Sequence, residues 1–548
     1  MARYIITSAL PYVEGVPHLG NFVGSVLPAD IFYKFMLLKR EDAIFICGSD
    51  QHGTPIELQA LKKGVEPSEL ADKLHHEVKE VLEKFECTFT MYGNTNSKEN
   101  ELTVDEIFEA LIKNKYIIET QSELAYCNTD QRFISDRFIE GTCPYCGYDQ
   151  ARGDQCDHCG HLLTPKELIK PHCVICNGTN IVFKETRNLA LDLAALQGKI
   201  EAFINGNKDN NWSKIAVTHS LGYIKRGLEP REITRDLKFG FKVPYKGFED
   251  KVFYVWFDAV IGYIGITRSW SDAWERYWKD SETILIQFMG KDNIEFHTLM
   301  WPGILIGSGL GFVLPHTIIA YEYLLSKGIK FSKSRGIGLN LESAIEIAHP
   351  DYWRFALAML LPETSDTDFS VERLIEIIDN DMNNNIGNFA HRVLSLAKSI
   401  EAKRPETLTG ASADLVKKVN SLISAYEEHF EKVQIREALH DVLEIAALGN
   451  SYISATEPWK YGNANGSKEL NEIVYTALDV VYRMAMLLYP FVPASSARLL
   501  EMFEYAGEPS LERAKEGIAG SVHINKELVK PIFSKLSEEQ IRKLYSLK

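Results

Sequence analysis

The stretch LPYVEGVPHLGN, residues 10 to 21, decides the fold because it joins the first predicted strand to a long predicted helix. The apolar run Tyr4–Thr7 predicts the strand, and apolar side chains at three- and four-residue spacing predict a helix from Leu19 to Met36. Free backbone N–H groups at a helix start attract anions, and a histidine placed there can donate a hydrogen bond to phosphate. We therefore expect His18 to contact a phosphate and Gly20 to let a flat ligand approach the backbone.

Strands and helices alternate in the first half of the chain, a pattern typical of a parallel α/β sheet. Five runs predict strands: Tyr4–Thr7, Ala43–Cys47, Val252–Trp256, Thr283–Met289 and Thr317–Ala320. The polar, glycine-bearing segments after them are LPYVEGVPHLGN, GSDQHGTP, FDAVIGY, GKDNIEFH and, after a short interval, KGIKFSKSRG. Ligands of open parallel sheets bind at the carboxyl ends of the strands, so we expect these segments to form one site.

The chemistry of these segments suits a nucleotide. Lys330 and Lys333 flank Ser332 in a loop with glycines on both sides, which predicts a clamp for a polyphosphate. Asp50 and Asp292 are candidates to anchor an ammonium group or a ribose.

Composition is that of a soluble globular chain with several domains: 548 residues, of which 45% are apolar and 25% charged. No apolar run reaches the length of a membrane span, and the N-terminal residues lack the layout of a signal peptide. We therefore expect a cytoplasmic protein without membrane contact. The net charge of −15 argues against nucleic acid as a partner, because phosphate contacts need clustered Lys and Arg. That argument concerns the average charge, and a local basic face can coexist with it.

The cysteines are clustered, with seven of the nine between residues 127 and 176. In a reducing compartment such clustering indicates metal binding before disulfides. CPYCGYDQARGDQCDHCG, residues 143–160, has the spacing CxxC-x9-CxxC, which predicts a closed, structural zinc site. Its four ligands would be Cys143, Cys146, Cys156 and Cys159. A further CxxC pair, Cys173 and Cys176, follows.

Beyond Pro362 the strand pattern stops and helical spacing takes over. Apolar side chains recur at three- and four-residue intervals from Leu374 to Ile400. The same pattern covers Leu415–Val433, Ala438–Ile453 and Ile473–Leu488, which predicts a helix bundle.

Two short motifs carry a family resemblance. HLGN at 18–21 and KFSKS at 330–334 resemble the HIGH and KMSKS signatures of class I aminoacyl-tRNA synthetases, with Asn21 and Phe331 as the departures. Wider stretches resemble the methionyl-tRNA synthetases of archaea: SALPYVEGVPHLGN, FICGSDQHGTP, YVWFDAVIGY, GKDNIEFHTLMWP and IKFSKSRG. The sibling enzymes for leucine, isoleucine and valine carry a longer insertion, so the length of 119–234 favours methionine.

The resemblance implies an α/β fold with a Rossmann-like parallel-sheet catalytic domain, split by a zinc-knuckle insertion and followed by a C-terminal α-helical bundle. The implied division is 1–118 and 235–325 for the two halves of the catalytic domain, 119–234 for the connective insertion, 326–369 for a stem-contact segment with the KFSKS loop, and 370–548 for an anticodon-binding domain.

The resemblance also implies the reaction and its residues. MgATP would activate L-methionine to methionyl-adenylate, and the methionyl group would pass to the 3′ end of tRNA(Met). The implied catalytic residues are His18, Lys330, Lys333 and Arg235, and Gly20, Asn21, Asp292 and Ser332 would add contacts to ATP. The implied methionine contacts are Leu10, Tyr12, Asp50, Trp256, Ala259, Tyr263, His297 and Trp301, with Asp50 holding the α-ammonium. Aromatic side chains suit a thioether because sulfur makes favourable contacts with their rings.

Two more assignments follow from the resemblance. NNNIGNFAHR and EPW resemble the anticodon contacts of the family, which implies that Asn388, Arg392 and Trp459 read anticodon bases. In CNTD, Asp130 stands in place of a fourth thiol, which gives a second candidate metal set of Cys127, Asp130, Cys173 and Cys176, with His172 as a further candidate. A weakly held zinc and an empty second site both remain open. We expect a monomer, with a separate tRNA-binding partner chain as an alternative source of general tRNA affinity.

Three other functions remain open from the sequence alone. One is a different class I synthetase, for cysteine or leucine. Another is a catalytically silent tRNA-binding or zinc-scaffold protein, which the intact His18, Lys330, Lys333 and Asp50 disfavour. The third is another nucleotidylyltransferase of the same superfamily, which would leave the anticodon-like helices without a purpose.

Overall fold

The computed structural model describes residues 2–12, 15–134, 136–153, 156, 158–159, 161, 163–331, 338–400, 402–461 and 467–546. At its centre lies a five-stranded sheet in which every neighbouring pair of strands is parallel. The spatial order of the strands is Pro315–Tyr321, Thr283–Gly290, Arg3–Ser8, Asp42–Ser49 and Met91–Asn94. The first strand of the chain is therefore central, and the segment after it opens into the middle of the carboxyl edge.

Both faces of this sheet are buried, because successive side chains of a strand point to opposite faces. Ile5 packs into one core with Ile44, whereas its neighbour Ile6 packs into the other core with Phe45. The helices that bury the first face include Lys98–Lys113, Leu193–Asn207, Val255–Trp270 and Trp301–Ser308. The second face is covered by Leu27–Leu38, Pro67–Lys84 and Pro350–Met359. Such double covering is what parallel sheets require.

Four of the five predicted strands are confirmed, and the prediction of a strand over Val252–Trp256 was wrong. Only Val252–Phe253 is extended there; it pairs antiparallel with Thr234–Arg235, outside the main sheet. The helix Val255–Trp270 follows at once. The prediction failed because a short apolar run has the same sequence pattern in a buried strand and in a buried helix. The fifth strand, Met91–Asn94, was not predicted, since MYGN has little strand propensity.

The segment between the two halves of the sheet forms an arm of long antiparallel strands. Ile117–Cys127 pairs along its whole length with Ile181–Leu191. The strands Arg132–Phe133 and Arg231–Glu232 extend this sheet, and a smaller sheet at its tip contains Ala151–Arg152, Ile139–Thr142 and Ile169–Cys173. The cysteines of the tip lie in this region and share a small core of their own.

The last part of the chain is helical, as predicted. Its helices are Val371–Glu376, the π-helix Ile377–Gly387, Asn388–Ala397, Gly410–Glu431, Ile435–Thr456, Lys468–Leu487, Pro493–Met502, Leu511–Glu516 and Glu538–Ser546. Before them, Leu324–Ser326 pairs with Ile329–Lys330 and Thr367–Phe369, next to the helix Leu341–Ile347. Among the helices of the described ranges, none is long and apolar enough to cross a membrane.

A buried guanidinium joins the sheet to the helical part. Arg354 is fully buried, and its Nη2 lies 2.7 Å from Asp30 Oδ2, on the helix that begins near the HLGN motif. The same side chain donates to the carbonyl oxygens of Phe85, at 3.1 Å, and of Pro490 and Phe491, at 2.8 and 3.1 Å. These bonds connect two helices that cover the sheet, Leu27–Leu38 and Pro67–Lys84, with the helix Pro350–Met359 and the turn before Pro493–Met502. We call this group the junction node.

Candidate active site

A cavity of about 410 Å³ opens at the carboxyl ends of the central strands. Segments after three of the sheet strands line it, as does the hairpin that begins with Leu324–Ser326. Eight of the residues that were predicted to contact ATP or methionine line it: Leu10, Tyr12, His18, Gly20, Asn21, Trp256, Asp292 and Lys330. Asn293, Glu322, Tyr323 and Phe331 also line it.

His18 caps the helical run that begins at Leu19. Its Nδ1 accepts the backbone N–H of Asn21 at 3.0 Å, and the Asn21 side chain accepts the N–H of His18 at 3.4 Å. Because Nδ1 is an acceptor, a neutral ring carries its proton on Nε2. Asn21 therefore completes a capping box, and His18 Nε2 is a hydrogen-bond donor. A Cβ at Gly20 would lie 3.2 Å from the His18 ring, which explains glycine there.

The hairpin that ends at Lys330, with Phe331 directly after it, packs on the HLGN turn. Phe331 is buried, and its ring centroid lies 5.5 Å from that of His18. Backbone bonds join the HLGN turn to a later segment, at the start of the helix Leu341–Ile347: Leu19 N–H donates to Leu339 O and Leu341 N–H donates to Pro17 O, both at 3.0 Å. The HLGN turn and the first two residues of KFSKS thus meet over one cavity.

Lys330 is held at the mouth of this cavity. Its Nζ lies 3.4 Å from Asp292 Oδ2 and 3.8 Å from the centroid of the Tyr323 ring. Both partners of the ion pair are about half exposed, at 52% and 55%, so the pair can exchange for a ligand at little cost. Ser332 and Lys333, which were predicted to contact ATP, lie outside the described residues.

A second cavity of about 520 Å³ lies next to the first, between the sheet and the arm. Tyr12 and Trp256 line both cavities, and Asp50 and Arg235 line the second. Arg235 donates to Glu232 at 3.0 Å, and its guanidinium lies 4.1 Å from the ring of Tyr254. Arg235 is therefore grouped with Asp50 and not with His18 and Lys330.

Asp50 lies at the end of the second strand and is almost fully buried. Its backbone N–H donates to Pro11 O at 2.9 Å, and the Thr95 hydroxyl donates to its carboxylate at 3.5 Å. Burial, helped by the nearby carboxylate of Asp258, raises the pKa of Asp50 well above its usual value. A cation bound beside Asp50 would oppose this effect.

The remaining predicted methionine residues form a buried wall. Trp256 stacks on Phe296 with the ring centroids 3.8 Å apart. Ala259, Tyr263, His297 and Trp301 are buried behind it and do not line the two cavities.

Two hydrogen bonds inside this wall hold the ring of His297 in place. His297 Nδ1 lies 3.0 Å from Asn293 O and its Nε2 lies 2.8 Å from Tyr263 Oη. Burial lowers the pKa of His297 to about 4, so the ring is neutral, donates through Nδ1 and accepts the Tyr263 hydroxyl.

Two groups of four side chains could each hold a metal ion. The ligand atoms of Cys143, Cys146, Cys156 and Cys159 lie within 4.8 Å of one another, as do those of Cys127, Asp130, Cys173 and Cys176. His172 is not a member of the second group. In the first group the Sγ atoms of Cys143 and Cys159 are 3.8 Å apart, and those of Cys146 and Cys156 are 3.7 Å apart. A tetrahedral Zn–S₄ site with bonds of about 2.3 Å has sulfur–sulfur edges of about 3.8 Å, so this donor set fits zinc.

The second group is also compact but mixed. The Sγ atoms of Cys127 and Cys176 are 3.5 Å apart, and Cys173 Sγ lies 3.3 Å from Asp130 Oδ2. Three thiolates and one carboxylate are chemically acceptable zinc ligands.

The predicted anticodon residues lie on the helical part. Trp459 is 50% exposed, and the guanidinium of Arg392 lies 5.5 Å from its ring. Asn388, also exposed, begins the helix that carries Arg392 one turn later. Arg392 is half-buried, and the exposed Asn388 and Trp459 give this surface polar and aromatic groups suited to unstacked bases.

Comparison with known proteins agrees with this arrangement. The profile of the family described as tRNA synthetases class I (M) matches residues 4–394, and that of the anticodon binding domain of methionyl tRNA ligase matches residues 405–546. A methionine–tRNA ligase of Pyrobaculum calidifontis is 40% identical over 553 residues, which span 99% of this chain and 96% of the relative. A methionine–tRNA ligase of Aeropyrum pernix is also 40% identical, with the same coverage of 99% and 96%.

The chain belongs to the class I methionyl-tRNA synthetases. The family and the function predicted from the sequence are confirmed, and so is the fold class. A crystal structure of the Mycobacterium tuberculosis methionyl-tRNA synthetase bound by methionyl-adenylate has the same fold, with a TM-score of 0.80 at 22% identity. The match covers 97% of this synthetase and all of that chain, 100%.

Three residues of this synthetase that lie beside the site were not predicted: His52, Asn96 and Asp258. His52 lies two residues after Asp50, and its ring bonds to Asp258 and Asn96 from two distant segments. The available signal was the cluster of polar residues in GSDQHGTP, directly after a buried strand. Its partners could not be read from the sequence because each lies on a different element.

Proposed function

We propose that this synthetase activates L-methionine with MgATP and transfers the methionyl group to the 3′ end of tRNA(Met). The observation that carries the proposal is the meeting of the HLGN turn with Lys330 and Phe331 over one cavity, beside a buried carboxylate and an aromatic wall. A methionine carboxylate oxygen attacks the α-phosphorus and pyrophosphate leaves. A ribose hydroxyl of the terminal adenosine then attacks the adenylate carbonyl, and AMP leaves.

The residues around the first cavity act on ATP. His18 donates from Nε2 to a phosphate oxygen, and Lys330 and Lys333 neutralise the charge that develops on the phosphates. Gly20, Asn21, Ser332 and Asp292 complete the contacts. No covalent enzyme intermediate is needed, because alignment and electrostatic stabilisation lower the barrier.

The residues shared with the second cavity act on methionine. Asp50 holds the α-ammonium, and Leu10, Tyr12 and Trp256 enclose the side chain. Ala259, Tyr263, His297 and Trp301 form the wall behind them, and Arg235 helps to order the bound reactants from the side of Asp50. The proximity of Asp50 and Arg235 in one cavity supports this assignment.

Zinc and tRNA complete the proposal. Cys143, Cys146, Cys156 and Cys159 hold a structural zinc, and the second group holds zinc more weakly. Asn388, Arg392 and Trp459 read the anticodon. The proposed division is 1–118 and 235–325 for the catalytic halves, 119–234 for the zinc-knuckle arm, 326–369 for the stem-contact segment and 370–548 for the anticodon domain. We also propose a cytoplasmic monomer, with a partner chain as an added source of tRNA affinity; nine unpaired cysteines support a reducing compartment.

Single-turnover formation of methionyl-adenylate by Lys333→Ala tests the catalytic assignment. Loss of one charged contact to the phosphates should slow adenylate formation by about 10²–10³-fold. Methionine affinity, measured by calorimetry, should stay within about twofold of the parent because Lys333 is assigned to ATP. Lys327→Ala is the matched control, since Lys327 is an exposed lysine six residues earlier that does not line the cavity. An unchanged rate in Lys333→Ala would refute the role.

A further inference from the structure

Three ionisable side chains are buried together at the methionine side of the site. Asp50, His52 and Asp258 are 4%, 1% and 0% exposed. The His52 ring spans two partners: its Nδ1 lies 2.5 Å from Asp258 Oδ2 and its Nε2 lies 3.0 Å from Asn96 Oδ1. In the doubly protonated imidazolium, each ring nitrogen donates to one of these two oxygen atoms.

The surroundings hold this ring in place. Phe239 and Phe241 approach it edge-on, with centroid separations of 5.1 and 4.7 Å. The Asn100 amide donates to the carbonyl oxygens of Thr95 and Asp258, at 2.7 and 3.3 Å, and so ties the helix of Asp258 to the strand end beside Asp50. Neither His52 nor Asp258 lines the two cavities, so neither is placed to touch substrate.

The charges of this group balance a bound amino acid. Burial raises the pKa of Asp50, Asp258 raises it further, and His52 lowers it. Burial alone would lower the pKa of His52, but Asp258, Asn96 and Asp50 together more than offset this, so the net shift is upward. Two carboxylates and one imidazolium carry a net charge of minus one, which an α-ammonium neutralises.

The other titratable groups near Asp50 do not disturb this balance. Burial raises the pKa of the Tyr254 and Tyr263 phenols, which stay neutral at physiological pH. Arg235 lines the same cavity but is paired with Glu232.

We propose that His52 and Asp258 form a buried ion pair that keeps Asp50 ionised and correctly placed to receive the α-ammonium of methionine. His52 is thus a positioning residue that acts through Asp50. The inference rests on the proposed role of Asp50 as the ammonium ligand.

The test compares His52→Asn with the double variant His52→Asn/Asp258→Asn in steady-state ATP–pyrophosphate exchange. The single variant leaves two buried carboxylates without a cation, so one of them takes up a proton near pH 7. KM for methionine should then rise at least about tenfold, as expected for a weakened charged hydrogen bond, with KM for ATP unchanged. Raising the pH to 8.5 should lower KM for methionine again, because Asp50 regains its charge.

The double variant separates charge balance from a merely structural role. It removes both charges together, so KM for methionine at pH 7 should return to within about threefold of the parent value, a difference below one kcal/mol. A double variant as impaired as the single one, or an increase in KM that does not depend on pH, would overturn the proposal. If His52→Asn does not fold, His52→Gln takes its place in the same comparison, with the same expected and contradicting results.

Two further variants distinguish the possible failures. Asp50→Asn with an unchanged KM for methionine would refute the role of Asp50 itself. A raised KM in Asp50→Asn with a normal KM in His52→Asn would refute only the present inference. His75→Asn is the matched control, since His75 is a buried neutral histidine bonded to Ser49 on the other side of the same strand end. Its pH dependence should match the parent.

Discussion

Replacing Arg354 by methionine removes the guanidinium of the junction node while keeping a side chain of similar length. Three carbonyl oxygens, those of Phe85, Pro490 and Phe491, then lose their donor. Asp30 loses its partner at 2.7 Å and keeps Lys34, whose Nζ lies 2.6 Å away. Breaking a buried ion pair from one side costs about 3–5 kcal/mol, so we expect the junction to weaken by about that amount.

Thermal unfolding measures this loss. At the low end of about 2–4 °C per kcal/mol for large domains, Tm should fall by about 6–10 °C. Because the node joins the sheet to the anticodon-binding helices, charging of tRNA should fall more than ATP–pyrophosphate exchange does.

Arg513→Met is the matched control, because Arg513 is half exposed and pairs with Glu516 of its own helix. Its effect on stability should stay within about 0.5 kcal/mol. An Arg354→Met variant with the Tm and charging rate of this control would refute the reasoning.

Other positions give equally direct expectations. Gly338 has φ +101°, and a Cβ there would overlap the Phe331 ring; Gly338→Ala should therefore push Phe331 off His18 and slow adenylate formation by about 10–100-fold with methionine affinity unchanged. Equal rates in variant and parent would contradict the contact between the two motifs. Asp130→Cys should complete a four-thiolate group, so that zinc retained after dialysis against a chelator rises from about one to about two ions per chain. A content that stays at about one ion per chain in Asp130→Cys would show that the second group does not hold zinc. Burial raises the pKa of Asp50, so its ionisation costs stability only as the pH rises above its value in the unfolded chain, about 3.9. Asp50→Asn should therefore raise Tm above that of the parent, by more at pH 8 than at pH 5, and should weaken methionine binding. A variant with a Tm below that of the parent at pH 8 would contradict a buried charge on Asp50.

The main features of the fold followed from local patterns. Apolar runs predicted four strands of the sheet within two residues, and the position of His18 at a helix start followed from the change of period at Leu19. The spacing of the cysteines predicted the first metal group, and the family resemblance of CNTD added the second. Each of these signals lies within one short segment, where the periodicity of side chains or the geometry of a turn is decisive.

Features that depend on distant partners could not be predicted. The strand Met91–Asn94 is extended through its pairing with Asp42–Ser49, a contact with a distant segment that its own residues do not announce. In the sequence His52 is one polar loop residue among several, and only the fold places Asp258 beside it. The bonds of Arg354 join three parts of the chain that no local pattern connects.

The most direct test of the proposed activity is ATP–pyrophosphate exchange by the purified chain with each standard amino acid in turn. We expect strong exchange with methionine alone, because only methionine combines an α-ammonium for Asp50 with a thioether for the aromatic wall. Strong exchange with leucine or cysteine instead would contradict the assignment of the methionine site. No exchange with any amino acid, from folded protein that retains its zinc, would contradict the synthetase activity itself.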